Sequence, residues 1–322
     1  VVTLEELIEQ GLFICPSCAH HVRPDENGWY CTNSECHFAH HRFPLLSGKP
    51  ALVDFPHSVL NADRLHSTGG TSAVRRKGLG TKLFELLYGR NPVAPVAVER
   101  MLEELRPGCA ALGRRPRILV VGGGTVGNGL EAFYDDASID IIALDIYMSP
   151  FVQFIGDGHS IPLVDGCIDG VVVQAVLEHV VEPFTVAAEI HRVLRDGGIV
   201  YADTPFMQQV HEGPYDFCRF TDSGHRYLFR EFERIDSGLI AGAGTALMWS
   251  IRYFARALTR SVVLGGLIGH CFFWLRYTDA ILDRRFSLDA ASSVFFLGRK
   301  RPTSISHEDI VDYYQGALTV DD

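Results

Sequence analysis

The stretch "ILVVGGGTVGNGL", residues 118–130, decides how the rest of the chain is read. An unbroken apolar run ends abruptly in Gly122, Gly123, Gly124, Gly127 and Gly129. A buried parallel strand that turns sharply into a helix needs this composition. Glycine lets the backbone turn tightly and come close to a ligand, and the helix start supplies free N–H groups. From Arg117 onward, short apolar runs alternate with amphipathic stretches, the signature of a parallel sheet built from βαβ units. Strands are expected at "RILVVG", "SIDIIALD", "CIDGVVVQ", "GIVYADT" and, late, "SSVFFLGRK". Helices are expected near residues 128–135, 183–194 and 221–233.

Upstream, "CPSC" (Cys15, Cys18) is followed after twelve residues by "CTNSEC" (Cys31, Cys36). Four thiolates in two close pairs can surround one Zn²⁺ tetrahedrally, and such a closed shell is structural, with no position for substrate. The second pair is wide, so His37, His40 or His41 stands as an alternative to Cys36. The other four cysteines are scattered singly, which fits a reducing compartment, and "VVTLEELIEQG" is acidic and helical, unlike a secretory leader. A cytoplasmic protein is expected.

Residues 1–56 then form a zinc ribbon, 57–116 a helical and basic connector, 117–235 the core and 236–322 a helical cap with a final strand. The 322 residues carry a formal net charge of −10, which argues against a dedicated nucleic-acid binder. The late run "SVVLGGLIGHCFFWL" is too short to span a bilayer and contains His270. With the neighbouring "ALMWSIRYFARALT" it reads first as a buried cap, and second as a surface that rests on lipid.

Gly122-x-Gly124-x-x-Gly127 has the dinucleotide spacing, and Asp145 lies where a carboxylate meets a ribose. Those features suit NAD and S-adenosylmethionine (SAM) equally. The downstream text separates them. Gly156, Asp157, Ile161 and Pro162, then Ile168 and Asp169, then Leu177, Glu178 and His179, then Val193, Leu194, Arg195, Gly197 and Gly198 follow one ordered pattern. It resembles the class I SAM-dependent methyltransferases of the type 11 group, related to ubiquinone and menaquinone biosynthesis enzymes. The run Phe43, Pro44, Leu45, Leu46, Gly48, Pro50, Ala51 and Leu52 resembles the zinc-ribbon activator subunit of tRNA methyltransferases.

The resemblance implies a Rossmann-like α/β sheet holding SAM. Gly122 and Gly124 would lie against its methionine part, Asp145 would accept the ribose hydroxyls, Asp157 and Gly158 would edge the adenine, and Gln174 and Ala175 would form the floor near the sulfonium. Two positions depart from the family pattern. Val120 stands where an acid usually anchors the methionine amino group, and Val126 displaces the third glycine to Gly127.

Methyl transfer is an in-line displacement, so alignment is the main requirement, and a hydroxyl acceptor also gains from a histidine base. His179 follows the strand "CIDGVVVQ". "PFMQQVHEGPYDFCRFTDSGHRYLF" follows "GIVYADT" and gathers His211, Tyr215, Asp216, Arg219 and His225 among aromatics. Its Pro-Tyr-Asp-Phe-x-Arg-Phe-Thr motif resembles methyltransferases of bacterial glycan and secondary-metabolite clusters. The expected roles are His211 as base, His179 as the competing base, and Asp216 with Arg219 shaping the acceptor pocket. The expected function is O-methylation of a saccharide or other small metabolite, including a lipid-linked one, with a peripheral membrane contact. The rival readings are an RNA methyltransferase and a non-catalytic SAM-binding partner protein.

Overall fold

The computed structural model describes residues 2–67 and 90–318. The basic run Arg75, Arg76, Lys77 and Lys82 of the expected connector lies outside the described residues. A short helix, Leu4–Glu9, opens the chain with a reciprocal cap: Thr3 Oγ1 accepts from the Glu6 amide, and Glu6 accepts from the Thr3 amide. β1 (Val22–Asp25) and β2 (Gly28–Cys31) form a hairpin, and β3 (Leu45–Leu46) and β4 (Lys49–Leu52) form a second.

The expected strands follow as β5 (Arg117–Val121), β6 (Asp140–Asp145), β8 (Ile168–Gln174), β9 (Leu194–Pro205) and β11 (Ser293–Lys300). β7 (Phe154–Gly156) and β10 (Phe232–Ala241) join them in a sheet ordered β10-β11-β9-β8-β5-β6-β7-β4-β3. The pairings from β9 across to β4 are parallel, and β10 and β11 add an antiparallel edge. Both faces are covered, which is why these strands read as continuous apolar runs rather than alternating ones. In β5, Ile118 packs with Met101 and Leu105 of the helix Ala94–Ala111. Its neighbour Leu119 packs on the other face with Val186 and Ile190 of the helix Pro183–Val193.

Four expectations need correction. The helix expected over 221–233 is Asp222–Leu228, and the chain from Phe232 is strand, so the boundary drawn at residue 235 falls inside β10. The alternating burial of β10 and its pairing with β11 outweigh the local helical pattern. The helix expected over 128–135 is only Glu131–Tyr134, because Gly129 takes φ +86° before it. The ribbon does not stop as a separate body at residue 56, since β4 pairs in parallel with β7. Phe13 sets its ring edge-on to both Trp29 of the ribbon and Phe154 of β7. The fourth correction concerns the cap. The helices Ala243–Thr259 and Val262–His270 pack against each other, but their outer faces are open, with Phe254, Leu258, Val262 and Val263 at least 70% exposed.

One buried charge ties the bottom of the core together. Asp169 accepts from Arg114 Nη2 at 2.8 Å, from the Arg117 amide at 2.8 Å and from Arg195 Nε. Burial would raise its carboxyl, but the Arg114 guanidinium, the amide and Arg195 together hold it at about 2. A depressed carboxylate stabilises the fold above its unfolded value near 4, and the contribution is lost as pH falls towards 2. Asp169→Asn is expected to cost roughly 2 kcal/mol at neutral pH and to flatten stability between about pH 4 and 2. Urea melts at pH 7 and pH 3 check it; equal losses at both would contradict it.

Candidate active site

A cavity of about 1240 Å³ opens at the carboxyl ends of β5, β6, β8 and β9. β5 has β6 on one side and β8 on the other, so the strand order reverses there. Open α/β sheets take ligands at such a crevice.

The glycine loop is pressed flat against the end of β6. The amides of Gly122 and Gly123 both donate to the Leu144 carbonyl, at 3.0 and 2.9 Å. Gly122 has φ +75°, and a Cβ there would lie 2.2 Å from Val176 Cγ2. The Gly124 amide donates to Asp145 Oδ2 at 2.8 Å, and a Cβ on Gly124 would meet that oxygen and the Tyr147 ring at 2.6 Å. Gly122 and Asp145 line the cavity; Asp145 is buried, 6% exposed.

Asp157 and Gly158 also line it. Asp157 Oδ1 accepts from the His159 amide at 3.0 Å and pairs with His159 Nδ1 at 2.5 Å, while Oδ2 accepts from Ser58 Oγ. Burial pushes this carboxyl up, but the His159 and Ser58 bonds outweigh it and hold it below the usual range. Ser58 therefore brings the N-terminal segment into the site, which the sequence reading missed.

Gln174 ends β8 and Ala175 follows it, both at the cavity wall. Ala175 adopts φ +52°, rare for a residue with a side chain, with its amide donating to the Asp203 carbonyl at 3.1 Å. Gln174 Nε2 donates to Asp203 Oδ2 at 3.0 Å. The same carboxylate accepts from Tyr201 at 2.8 Å and from Asn91 Nδ2 at 3.1 Å. Burial lifts Asp203 to about 6 against these bonds. Asn91 Oδ1 meanwhile accepts from the Val93 and Ala94 amides at the start of the helix Ala94–Ala111. Asp203, Asn91 and Tyr201 were missed from sequence; the only signal was a carboxylate at a strand end in "ADTPF".

The same cavity wall also holds Glu178, His179, His211 and Tyr215. His179 and His211 stand edge to face, ring centres 4.9 Å apart. Glu178 Oε1 lies 3.6 Å from His179 Nε2 and 3.8 Å from His211 Nε2. Glu178 is fully buried, and neither carboxyl oxygen has a hydrogen-bond partner. Burial pushes it up to about 8, while desolvation lowers His179.

Asp216 and Arg219 do something other than shape the pocket. Neither lines the cavity; they brace the loop that carries His211. Arg219 Nη2 donates to Asp216 Oδ2 at 3.0 Å, and its Nε donates to the Gln208 carbonyl at 2.8 Å. Asp216 also accepts from the His211 amide at 2.8 Å. Burial would raise Asp216, but Arg219 and that amide hold it at about 2. The amides of Phe217 and Cys218 donate to the Glu178 carbonyl, at 2.8 and 3.1 Å, and pin the loop over the cavity. His225 is separate, buried in the helix Asp222–Leu228 edge-on to Phe229.

In the ribbon, the four cysteines come together. Cys15 and Cys36 sulfurs are 3.7 Å apart, those of Cys18 and Cys31 3.4 Å, and all four lie within 4.8 Å of one another. Tetrahedral zinc with bonds near ~2.3 Å needs sulfurs about 3.8 Å apart, so the set fits. The histidines face elsewhere: His37 stacks on His41, and His40 Nε2 is 3.1 Å from the Ser34 carbonyl.

Residues 119–202 match the family model described as a methyltransferase domain. The chain carries a methyltransferase domain. A demethylmenaquinone methyltransferase of Renibacterium salmoninarum is 36% identical over 92 residues, 26% of this chain and 38% of that protein. The match thus spans well under half of the curated relative's length. Among solved structures, Haemonchus contortus phosphoethanolamine N-methyltransferase 2 is similar at a TM-score of 0.44 and 14% identity, covering 76% of this chain and 60% of that one. A Haloferax volcanii complex of the Trm112 methyltransferase activator with a putative methyltransferase gives 0.40 and 18%, covering 67% and 98%. Among the described residues, no helix is long and apolar enough to cross a membrane.

Proposed function

We propose that the chain transfers the methyl group of SAM to a hydroxyl of a saccharide or other small metabolite. The observation that carries this reading is that one cavity holds two groups of side chains. Carboxylates stand at the strand tips, and a glutamate with two histidines lines the same space. Asp145 would take the ribose hydroxyls and Asp157 the adenine amine, sharing oxygens that Ser58 and His159 already use. With Val120 in the usual acid's place, Asp203 is the carboxylate left to attract the methionine ammonium. The methyl group would then face His211 and His179, with His211 receiving the acceptor's proton. Incubation with methyl-labelled SAM and hydroxyl-bearing glycan acceptors tests the reading. Label appearing only on amines or thiols would overturn the hydroxyl assignment.

The cap supports an acceptor presented at a membrane surface. Arg276, Tyr277 and Asp279 line the cavity, while Phe254, Leu258 and Val263 of the adjoining helices are exposed. Residues 243–278 contain Arg252, Arg256, Arg260 and Arg276 and no acidic residue, in a chain of net charge −10. An exposed apolar face in a segment whose charged side chains are all cations suits an anionic lipid surface. The protein is expected to sediment with anionic phospholipid vesicles and not with neutral ones, and Phe254→Asp with Val263→Asp should abolish this. A stable dimer in solution that these substitutions dissociate would instead assign the face to a second copy.

For the ribbon, we propose structural zinc held by Cys15, Cys18, Cys31 and Cys36. Metal analysis should return about one zinc per chain. Cys15→Ser should lose it, lower the melting temperature and also weaken S-adenosylhomocysteine binding, because β4 and Ser58 couple the ribbon to the site. Full metal content in the variant would contradict the ligand set.

A further inference from the structure

We propose that Glu178, His179 and His211 bind one divalent transition-metal ion at the acceptor end of the cavity. This deepens the methyl-transfer reading and rests on it for the identity of the ligand that would fill the open coordination positions. Three independent features converge. The first is the orphaned carboxylate. Glu178 is 0% exposed, and both its oxygens lack any hydrogen-bond partner. A carboxylate so placed is costly unless something cationic or protic meets it.

The second feature is the orientation of the imidazoles. His179 Nδ1 sits 2.6 Å from the Tyr215 carbonyl. His211 Nδ1 faces the Gln209 carbonyl at 3.3 Å and the Asp216 carboxylate at 3.4 Å. These oxygens can only accept, so each ring carries its proton on Nδ1. Each Nε2 then keeps a lone pair directed towards Glu178. Donation of the remote N–H to a carbonyl or carboxylate is the usual second shell of a metal-bound histidine.

The third is spacing. The ligand atoms lie within 4.8 Å of one another, with Glu178 Oε1 at 3.6 and 3.8 Å from the two Nε2 atoms. These gaps are too long for hydrogen bonds between the three groups. Metal bonds near ~2.1 Å would place tetrahedral neighbours about 3.4 Å apart, within reach of side-chain movements on the order of 1 Å. Two imidazoles and one carboxylate, with the remaining directions turned to the cavity, match the open triad that takes divalent transition ions. The negative charge of nearby Asp216 is already matched by Arg219, so it does not compete for the ion. An ion here would hold an acceptor oxygen at the face where the methyl group arrives and lower its pKa, so that the acceptor's proton leaves to solvent. In the ion-bound protein His211 is a ligand, and it takes the proton itself only in the ion-free protein.

The test is titration of the zinc-loaded full-length protein with Co²⁺. One equivalent is expected to bind with weak visible d–d bands and no thiolate charge-transfer absorption. His211→Ala and Glu178→Gln should each weaken that binding by at least about tenfold while ribbon zinc content stays unchanged. Since His211 sits on a loop outside the core, that variant is readable even if Glu178→Gln fails to fold. No saturable Co²⁺ binding, binding indifferent to His211→Ala, or spectra showing only thiolate ligation would overturn the proposal. S-adenosylhomocysteine binding is measured beside it: its loss with Co²⁺ binding intact would sink methyl transfer alone, and the converse would sink the ion site alone.

Discussion

His211→Ala is expected to lower turnover by about 10²–10⁴-fold, the usual worth of general acid–base catalysis, while leaving cofactor affinity unchanged. The geometry gives the reason. The His211 Nδ1 proton is directed at Gln209 and Asp216, so the free lone pair on Nε2 faces Glu178 and the cavity. A group used only in the transition state reduces kcat without altering ground-state binding of a cofactor held by other residues. His179→Ala is the necessary companion, because its Nε2 is presented in the same way, 3.6 Å from Glu178. If His211→Ala turns over normally and His179→Ala does not, the acceptor's proton goes to His179 in the loop after β8. If neither matters, the acceptor is an amine or thiolate that needs no base. Asp216→Asn should resemble His211→Ala in weaker form, since Asp216 holds the His211 amide and is itself braced by Arg219.

Asp145→Ala is expected to weaken S-adenosylhomocysteine binding by roughly 1.5–3 kcal/mol, the range for hydrogen bonds to a charged group. That corresponds to about 10–150-fold in Kd. Two effects contribute. The carboxylate would no longer receive the ribose hydroxyls, and the Gly124 amide would lose its 2.8 Å acceptor, loosening the loop itself. Asp145→Asn separates them. It retains an oxygen for Gly124 but not the charge, so it should fall between wild type and Asp145→Ala. Calorimetric titration of the three proteins reads this directly, and equal affinities would remove Asp145 from the site.

Local patterns carried much of this arrangement. The glycine loop, the apolar runs of β5, β6 and β8, the four cysteines and the strand-end position of Asp145 are all properties of short segments. Their physics is local: a tight turn, a buried strand and a thiolate shell each need particular residues at fixed spacing. What escaped depends on contacts between distant segments. β7 is three residues long and is recognisable only because β6 and β4 flank it. The Asp203 hub joins residues 91, 174, 201 and 203, and nothing in "ADTPF" says that Asn91 will arrive from the start of a helix. Glu178 belongs to a recognisable Leu-Glu-His motif, but its complete burial is a property of the folded loop that Phe217 and Cys218 tie above it. Asp216 and Arg219 were misread for the same reason. Residue type marks them as a charged pair near the acceptor, and only the fold shows that both are spent on bracing the loop.

The glycine loop and its carboxylates are expected to hold SAM. The most direct measurement is calorimetric titration of the unaltered full-length protein with S-adenosylhomocysteine, beside an identical titration with NAD. Saturable binding of S-adenosylhomocysteine at about one per chain, with no heat from NAD, is the predicted result. Binding of NAD with no response to S-adenosylhomocysteine would contradict the account.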